Sequence, residues 1–66
     1  MMYTVVFNRH ISKAYAASPA DAAALTLHCV EKSKAFPVSE YDVISVFDPA
    51  HNQHNFQIEN GELTAF

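Results

Sequence analysis

The sequence predicts an α+β fold: a small, mostly antiparallel β-sheet of order β-β-α-β-β-β, with one helix packed on one face. Three observations carry that prediction. Residues 2–8 are dense in β-branched and aromatic types, the composition of a strand. Ser18-Pro19-Ala20-Asp21 has the residue order of a helix start. Asn60-Gly61 is the dipeptide of a two-residue hairpin turn, and it separates two segments of alternating apolar and polar residues.

Met2–Asn8 opens the sheet, and Asn8-Arg9-His10 reads as a turn. Residues 11–17 then return as a second strand, although their alanines favour strands least. Ser18 is placed to cap the helix and Pro19 suits its first position. Asp21 can reach back to the cap's N–H and favours the positive helix end. The helix is expected to run to about Lys34, with Lys32 and Lys34 near its negative end. At 100° per residue, Ala20, Ala23, Leu27 and Val30 share the stripe expected to face the sheet, while Ala22, Leu25 and Cys29 lie on another side. Pro37 ends the helical region. Tyr41–Asp48 is the next strand. Its two side-chain sets each mix apolar and polar types, which predicts cover on both faces at its centre.

The last two strands, 54–59 and 62–66, follow from the Asn60-Gly61 turn. A two-residue loop sets residue 59 opposite 62, 58 opposite 63, 57 opposite 64 and 56 opposite 65. One face of this hairpin is then Phe56, Ile58, Leu63 and Ala65, and the other is Gln57, Glu59, Glu62 and Thr64. The turn chemistry and the apolar pattern agree.

Sixty-six residues make a single domain, 1–66. Hydrophobic burial of about 95 kcal/mol nearly cancels an ordering cost of about 100 kcal/mol at this size. Small extra terms therefore decide stability. Cys29 is the only cysteine, so no intramolecular disulfide staples the chain. Tight packing, a metal or a second copy remains. Half the residues are hydrophobic and one is glycine, which is not a disordered composition. No apolar run approaches the ~18 residues of a membrane span. With no secretory signal pattern and an unpaired cysteine, a reducing cytoplasm is the expected setting.

Charge is divided unevenly along the chain. Residues 1–35 hold all four Lys and Arg residues (Arg9, Lys13, Lys32 and Lys34) with Asp21 and Glu31, a net of +2. Residues 36–66 hold Glu40, Asp42, Asp48, Glu59 and Glu62 without a Lys or Arg, a net of −5, so the whole chain carries −3. A base-free acidic half points to a basic partner surface. Asp42, Asp48, Glu59 and Glu62 are the candidate partner-binding residues, with Glu40 more peripheral. Glu59 and Glu62 should lie side by side at the hairpin tip, where like charges repel.

Catalytic readings find little support. A hairpin tip is open and cannot desolvate one carboxylate of the pair, as acid–base work would require. No nucleophile-elbow serine occurs, and one glycine cannot build a phosphate loop. His28 and Cys29 are neighbours on a helix and point ~100° apart. His51 and His54 have an H-x-x-H spacing but lack a second Cys/His pair at metal-finger spacing, so no metal or other cofactor is assigned. Four basic side chains and a net negative charge argue against direct nucleic-acid binding.

In length and charge layout the chain resembles the small phage- and mobile-element-encoded inhibitors of the anti-CRISPR type. That resemblance implies a non-enzymatic inhibitor presenting an acidic and partly aromatic surface to a basic protein, such as a nucleic-acid-binding complex. Inhibition is then by nucleic-acid mimicry or by steric block. The strand-strand-helix opening, with its Ser-Pro-x-Asp helix start, also resembles antitoxin partner domains. The alternative reading is a homodimeric α+β module that binds a small ligand or metal in an intersubunit cleft. The sequence carries eight Phe and Tyr residues, more than one small core is expected to bury, so a dimer is the expected assembly.

Overall fold

Asn8 and Arg9 both have positive φ, 50° and 68°, the pattern of a type I′ hairpin turn. In the computed structural model, which describes residues 1–66, this turn joins β1 (Met2–Phe7) to β2 (His10–Tyr15). The paired register runs from Phe7 opposite His10 to Met2 opposite Tyr15. The second hairpin, β4 (Gln53–Glu59) and β5 (Glu62–Ala65), turns on Asn60 and Gly61 at φ 52° and 79°. Its register is the one the turn dictates: Glu59 opposite Glu62, Ile58 opposite Leu63, Gln57 opposite Thr64 and Phe56 opposite Ala65. Between the hairpins in sequence lie α1 (Pro19–Ser33) and β3 (Val43–Phe47). In space β3 joins them, pairing antiparallel with β1 on one side and β4 on the other. The sheet has five strands in the order β2-β1-β3-β4-β5, all antiparallel.

Ser18 caps α1 in an extended conformation, with its Oγ accepting from the Asp21 N–H at 3.1 Å. Half of the expected capping box is therefore formed. At the other end Lys34 takes φ 54° and closes the helix in the left-handed region. The buried stripe is Ala22, Ala23, Leu27 and Val30, with half-buried Thr26 between them. Ala22 takes the place expected for Ala20, which is exposed in the first turn. Ala22 and Ala23 are fully buried, and their small side chains let the helix sit close on the strands.

Beneath the helix lie Tyr3, Val5 and Phe7 of β1, Ile44 and Val46 of β3, and Phe56 and Ile58 of β4. Val5, Ile44 and Val46 are entirely shielded from water. The other face of β3 is different. Val43 is 40% exposed, and Ser45 and Phe47 are half-buried by neighbouring strands alone. The expectation of cover on both faces is corrected here, because the chain has one helix and it occupies one side. The total exposed surface, 4466 Å², is close to the ~4,200 Å² that size scaling gives. The uncovered face thus does not reflect loose packing.

Four bulky residues occupy backbone that favours glycine: Lys34 at the helix end, His51 in the loop after β3, Arg9 and Tyr41. Arg9 takes φ 68° in the first hairpin turn. Tyr41 takes φ 67° in a β-bulge: its N–H donates to the Ile58 carbonyl at 2.7 Å, while the Ile58 N–H donates to the carbonyl of Asp42 at 2.9 Å. Two residues therefore oppose one, and the first is left-handed. Replacing either Arg9 or Tyr41 by Gly should raise stability by about 0.5–1 kcal/mol, because the left-handed strain is removed. Gly61→Val should lower it by about 1–2 kcal/mol; a Cβ there meets no atom within 4 Å, so the cost is backbone strain alone. Chemical denaturation of the three variants checks the signs.

Candidate functional site

The β4–β5 tip is the acidic end of the molecule. Glu59 and Glu62 are directly opposed and exposed, and the alternation of the strand sets them on the face without the helix. Glu40 joins them from the loop before β3. Its Oε1 accepts from the Asn60 N–H at 2.7 Å, across 20 residues of sequence, and ties that loop to the hairpin turn. Asp42 is turned inward on its own loop, where its Oδ2 accepts from the Ser39 N–H at 2.8 Å. Glu40 and Asp42 therefore spend hydrogen-bonding capacity on the chain itself, whereas no side-chain hydrogen bond or ion pair engages Glu59 or Glu62. Tyr41, 64% exposed, stands between Glu40 and Asp42. Sequence reasoning did not single it out; its strained φ, a tertiary property, marks it.

Asp48 does not belong to this group. It follows β3 at the opposite end of the strand, six residues from Asp42, or roughly 20 Å along an extended chain. Its Oδ1 accepts from the N–H groups of Ala50 and Asn52, both at 2.9 Å. Its Oδ2 takes the Asn52 side-chain amide at 3.2 Å and lies 3.3 Å from His54 Nε2. These bonds hold its carboxyl below the usual carboxylate value. The Asn52 N–H contributes most, partial burial opposes the shift, and His54 adds to it. Asp48 is thus the anchor of the Asp48–Asn52 loop, in which His51 takes φ 68°. Of the four predicted binding residues, the fold gathers Asp42, Glu59 and Glu62 at one end and sets Asp48 at the other.

The acidic tip is continuous with the uncovered face. Across that face Ile11 lies beside Val6, Val6 beside Ser45 and Ser45 beside Asn55. The Phe66 N–H donates to the Asn55 carbonyl at 3.1 Å and extends the row. Ser45 Oγ and Gln53 Nε2 both donate to Asn55 Oδ1 at 2.9 Å and make the centre polar. Around this centre stand large apolar groups open to water: Ile11 and Tyr15 at 74%, Phe66 at 71% and Val43 at 40%. The arrangement is a sheet face with a polar middle, apolar flanks and a carboxylate pair at one corner. It suits docking, and it is too open for chemistry that needs a desolvated group.

The histidines are scattered. His10 stacks on Phe36 at 4.7 Å, His28 is exposed on α1, and His54 faces Asp48. No three His, Cys, Asp or Glu side chains converge as metal ligands would. No helix is long and apolar enough to cross a membrane. Comparison of the chain with family models, with curated proteins and with solved structures finds no match.

The Asp48 anchor has a pH signature. A carboxyl whose folded pKa is depressed contributes stability above its unfolded value, near 3.8, and loses it as pH falls through the lower folded value. The backbone amide shifts of Ala50 and Asn52 should therefore titrate together at a pH below 3.8. Asp48→Ala should abolish that step while the Glu59–Glu62 hairpin keeps its native amide shifts.

Proposed function

We propose that this chain is a non-enzymatic binding protein, an inhibitor in the manner of the anti-CRISPR proteins. It applies its uncovered sheet face and acidic tip to a basic protein surface, the nucleic-acid channel of a larger complex being the fitting target. One observation carries the reading. Glu59 and Glu62 face each other, exposed, on the same uncovered face as Ile11, Tyr15, Val43 and Phe66. At ~5 Å the two carboxylates repel by about 0.8 kcal/mol in water and ~3 kcal/mol at an effective dielectric of 20. A Lys or Arg set between them replaces that repulsion by two attractions. The apolar flanks then supply the anchoring contacts that charge alone does not give.

The unpaired, exposed Cys29 supports a reducing, cytoplasmic setting. The dimer reading draws on the same exposed apolar groups, since a second copy seated on the uncovered face would bury them. It predicts a species of twice 7.3 kDa in sedimentation at high micromolar concentration. The partner reading predicts a monomer in isolation.

Affinity capture from host lysate, at low and high salt, supplies the partner for a direct binding assay. Reversing the pair by Glu59→Lys with Glu62→Lys should weaken binding at least tenfold and flatten its salt dependence. The fold should survive, since Phe56 and Ile58 on the other face of the hairpin are untouched. Unchanged affinity and an unchanged salt slope in the double reversal would overturn the proposal.

A further inference from the structure

The sheet edge farthest from the acidic tip is β2, and it is unpaired. The two-residue turn makes Phe7 and His10 a hydrogen-bonded pair. Alternation then directs the N–H and C=O groups of His10, Ser12 and Ala14 to β1, and those of Ile11, Lys13 and Tyr15 outward. β2 is a regular strand of six residues without proline or bulge, whereas the other edge, β5, has four. Sheet edges are usually blunted, and this one is open apart from Lys13.

Beside that edge lies a groove. Ser12 is exposed and Ala14 only half-buried on the helix side of the sheet, so α1 leaves β2 largely uncovered. The space between them is a cavity of about 410 Å³, walled by Phe7, Leu25, Cys29, Val30 and Phe36. Phe36 packs edge-on against Phe7 at 5.0 Å and flat against His10 at 4.7 Å, which closes one end. Leu25 is 47% exposed at the rim. No Asp or Glu lines the cavity, and Lys13 lies on its β2 wall between Ser12 and Ala14, with its side chain alternating to the other face of the sheet. Lys32 follows Cys29 by one helical turn, and Arg9 sits in the adjoining hairpin turn.

We propose that the β2 edge and this groove form a docking site for an extended, acidic segment of another polypeptide, added as a sixth strand. Only a strand satisfies the three outward backbone positions, and its alternate side chains then point into the groove. Those side chains are apolar, to match Phe7, Leu25, Val30 and Phe36. The intervening ones are acidic, to match Lys13, with Arg9 and Lys32 drawing the same charge from either side. Lys13 also argues against a second copy of β2 in this place. A two-fold pairing centred on residue 13 would oppose two lysines. The added strand would adjoin Ile11 and Tyr15 of the uncovered face, but the groove and Lys13 take no part in the proposed function, and substitutions at Leu25 and Lys13 leave the Glu59–Glu62 pair unchanged.

The test is a displayed library of random octapeptides screened against the intact protein, with NMR on the enriched sequences. The expected enrichment is for alternating apolar and Asp/Glu residues without proline. Bound peptide should slow hydrogen exchange at the amides of Ile11, Lys13 and Tyr15. Leu25→Glu should reduce binding at least tenfold, and Lys13→Glu should switch the enriched peptides from acidic to basic. Both positions are exposed, and an unchanged circular dichroism spectrum verifies the fold of each variant. Four results would each overturn the proposal. These are no enrichment above background, enriched peptides indifferent to both substitutions, peptide-induced shifts confined to the Glu59–Glu62 face, or concentration-dependent self-assembly that fills the edge with the chain's own strands.

Discussion

One helix can cover one face of a five-stranded sheet, and the rest of this structure follows from that constraint. The contact is made by the Ala22, Ala23, Leu27 and Val30 stripe resting on Val5, Ile44, Val46 and Phe56. Each strand contributes alternate residues to it. The choice of which set lies beneath the helix therefore commits the other set to the outer face. Val6, Val43, Ser45 and Phe47 are outside because Val5, Ile44 and Val46 are inside. Glu59 and Glu62 are outside because Phe56 and Ile58 are inside. A one-residue slip in any strand would exchange its two sets, and in β4 or β5 it would turn Glu59 or Glu62 toward the core.

The same constraint separates the molecule's charges. β3 enters between the two hairpins, so the basic first hairpin and the acidic second one fall at opposite edges of the sheet. The linear division of charge becomes a division in space. Each edge thereby acquires a distinct chemistry: unpaired backbone with Lys13 and Arg9 at β2, and a carboxylate pair at the β4–β5 tip. Between proteins in general, electrostatic complementarity depends on such a layout more than on net charge.

Left-handed backbone at bulky residues occurs at both ends of the sheet, at Arg9 and Tyr41 beside the acids and at His51 in the Asp48–Asn52 loop. Arg9 and Tyr41 hold conformations that glycine would hold at lower cost. Glu40 bonded to Asn60 and Asp42 bonded to Ser39 hold the bulge around Tyr41 in place. Two carboxylates thus serve to shape the loop that displays an exposed tyrosine next to the free pair. Asp48 acts in the same way at the other end, where its carboxylate is consumed by the loop it organises.

The local elements were legible in the residues because their signals are local. Ser18-Pro19 sets the start of α1 by offering an acceptor and a fixed φ where the first turn needs them. Asn60-Gly61 sets the β4–β5 register because only certain residues tolerate two successive positive φ values. From these alone follow the opposition of Glu59 to Glu62 and the apolar inner face of Phe56 and Ile58. The first hairpin was harder to see, since Arg9 stands where glycine would have announced the turn. The remaining features were decided by tertiary structure. The insertion of β3 between β1 and β4 joins residues some forty positions apart in sequence, and no local preference encodes that pairing. It brings the Glu59–Glu62 tip beside Asp42 rather than Asp48, and it leaves Val43 and Phe47 on an uncovered face. The exchange of Ala20 for Ala22 in the helix stripe, the bulge at Tyr41 and the groove behind β2 arise in the same way. Each depends on how a nearly symmetric alanine-rich helix settles on a sheet already formed, where packing against distant residues outweighs the preferences of the residues themselves.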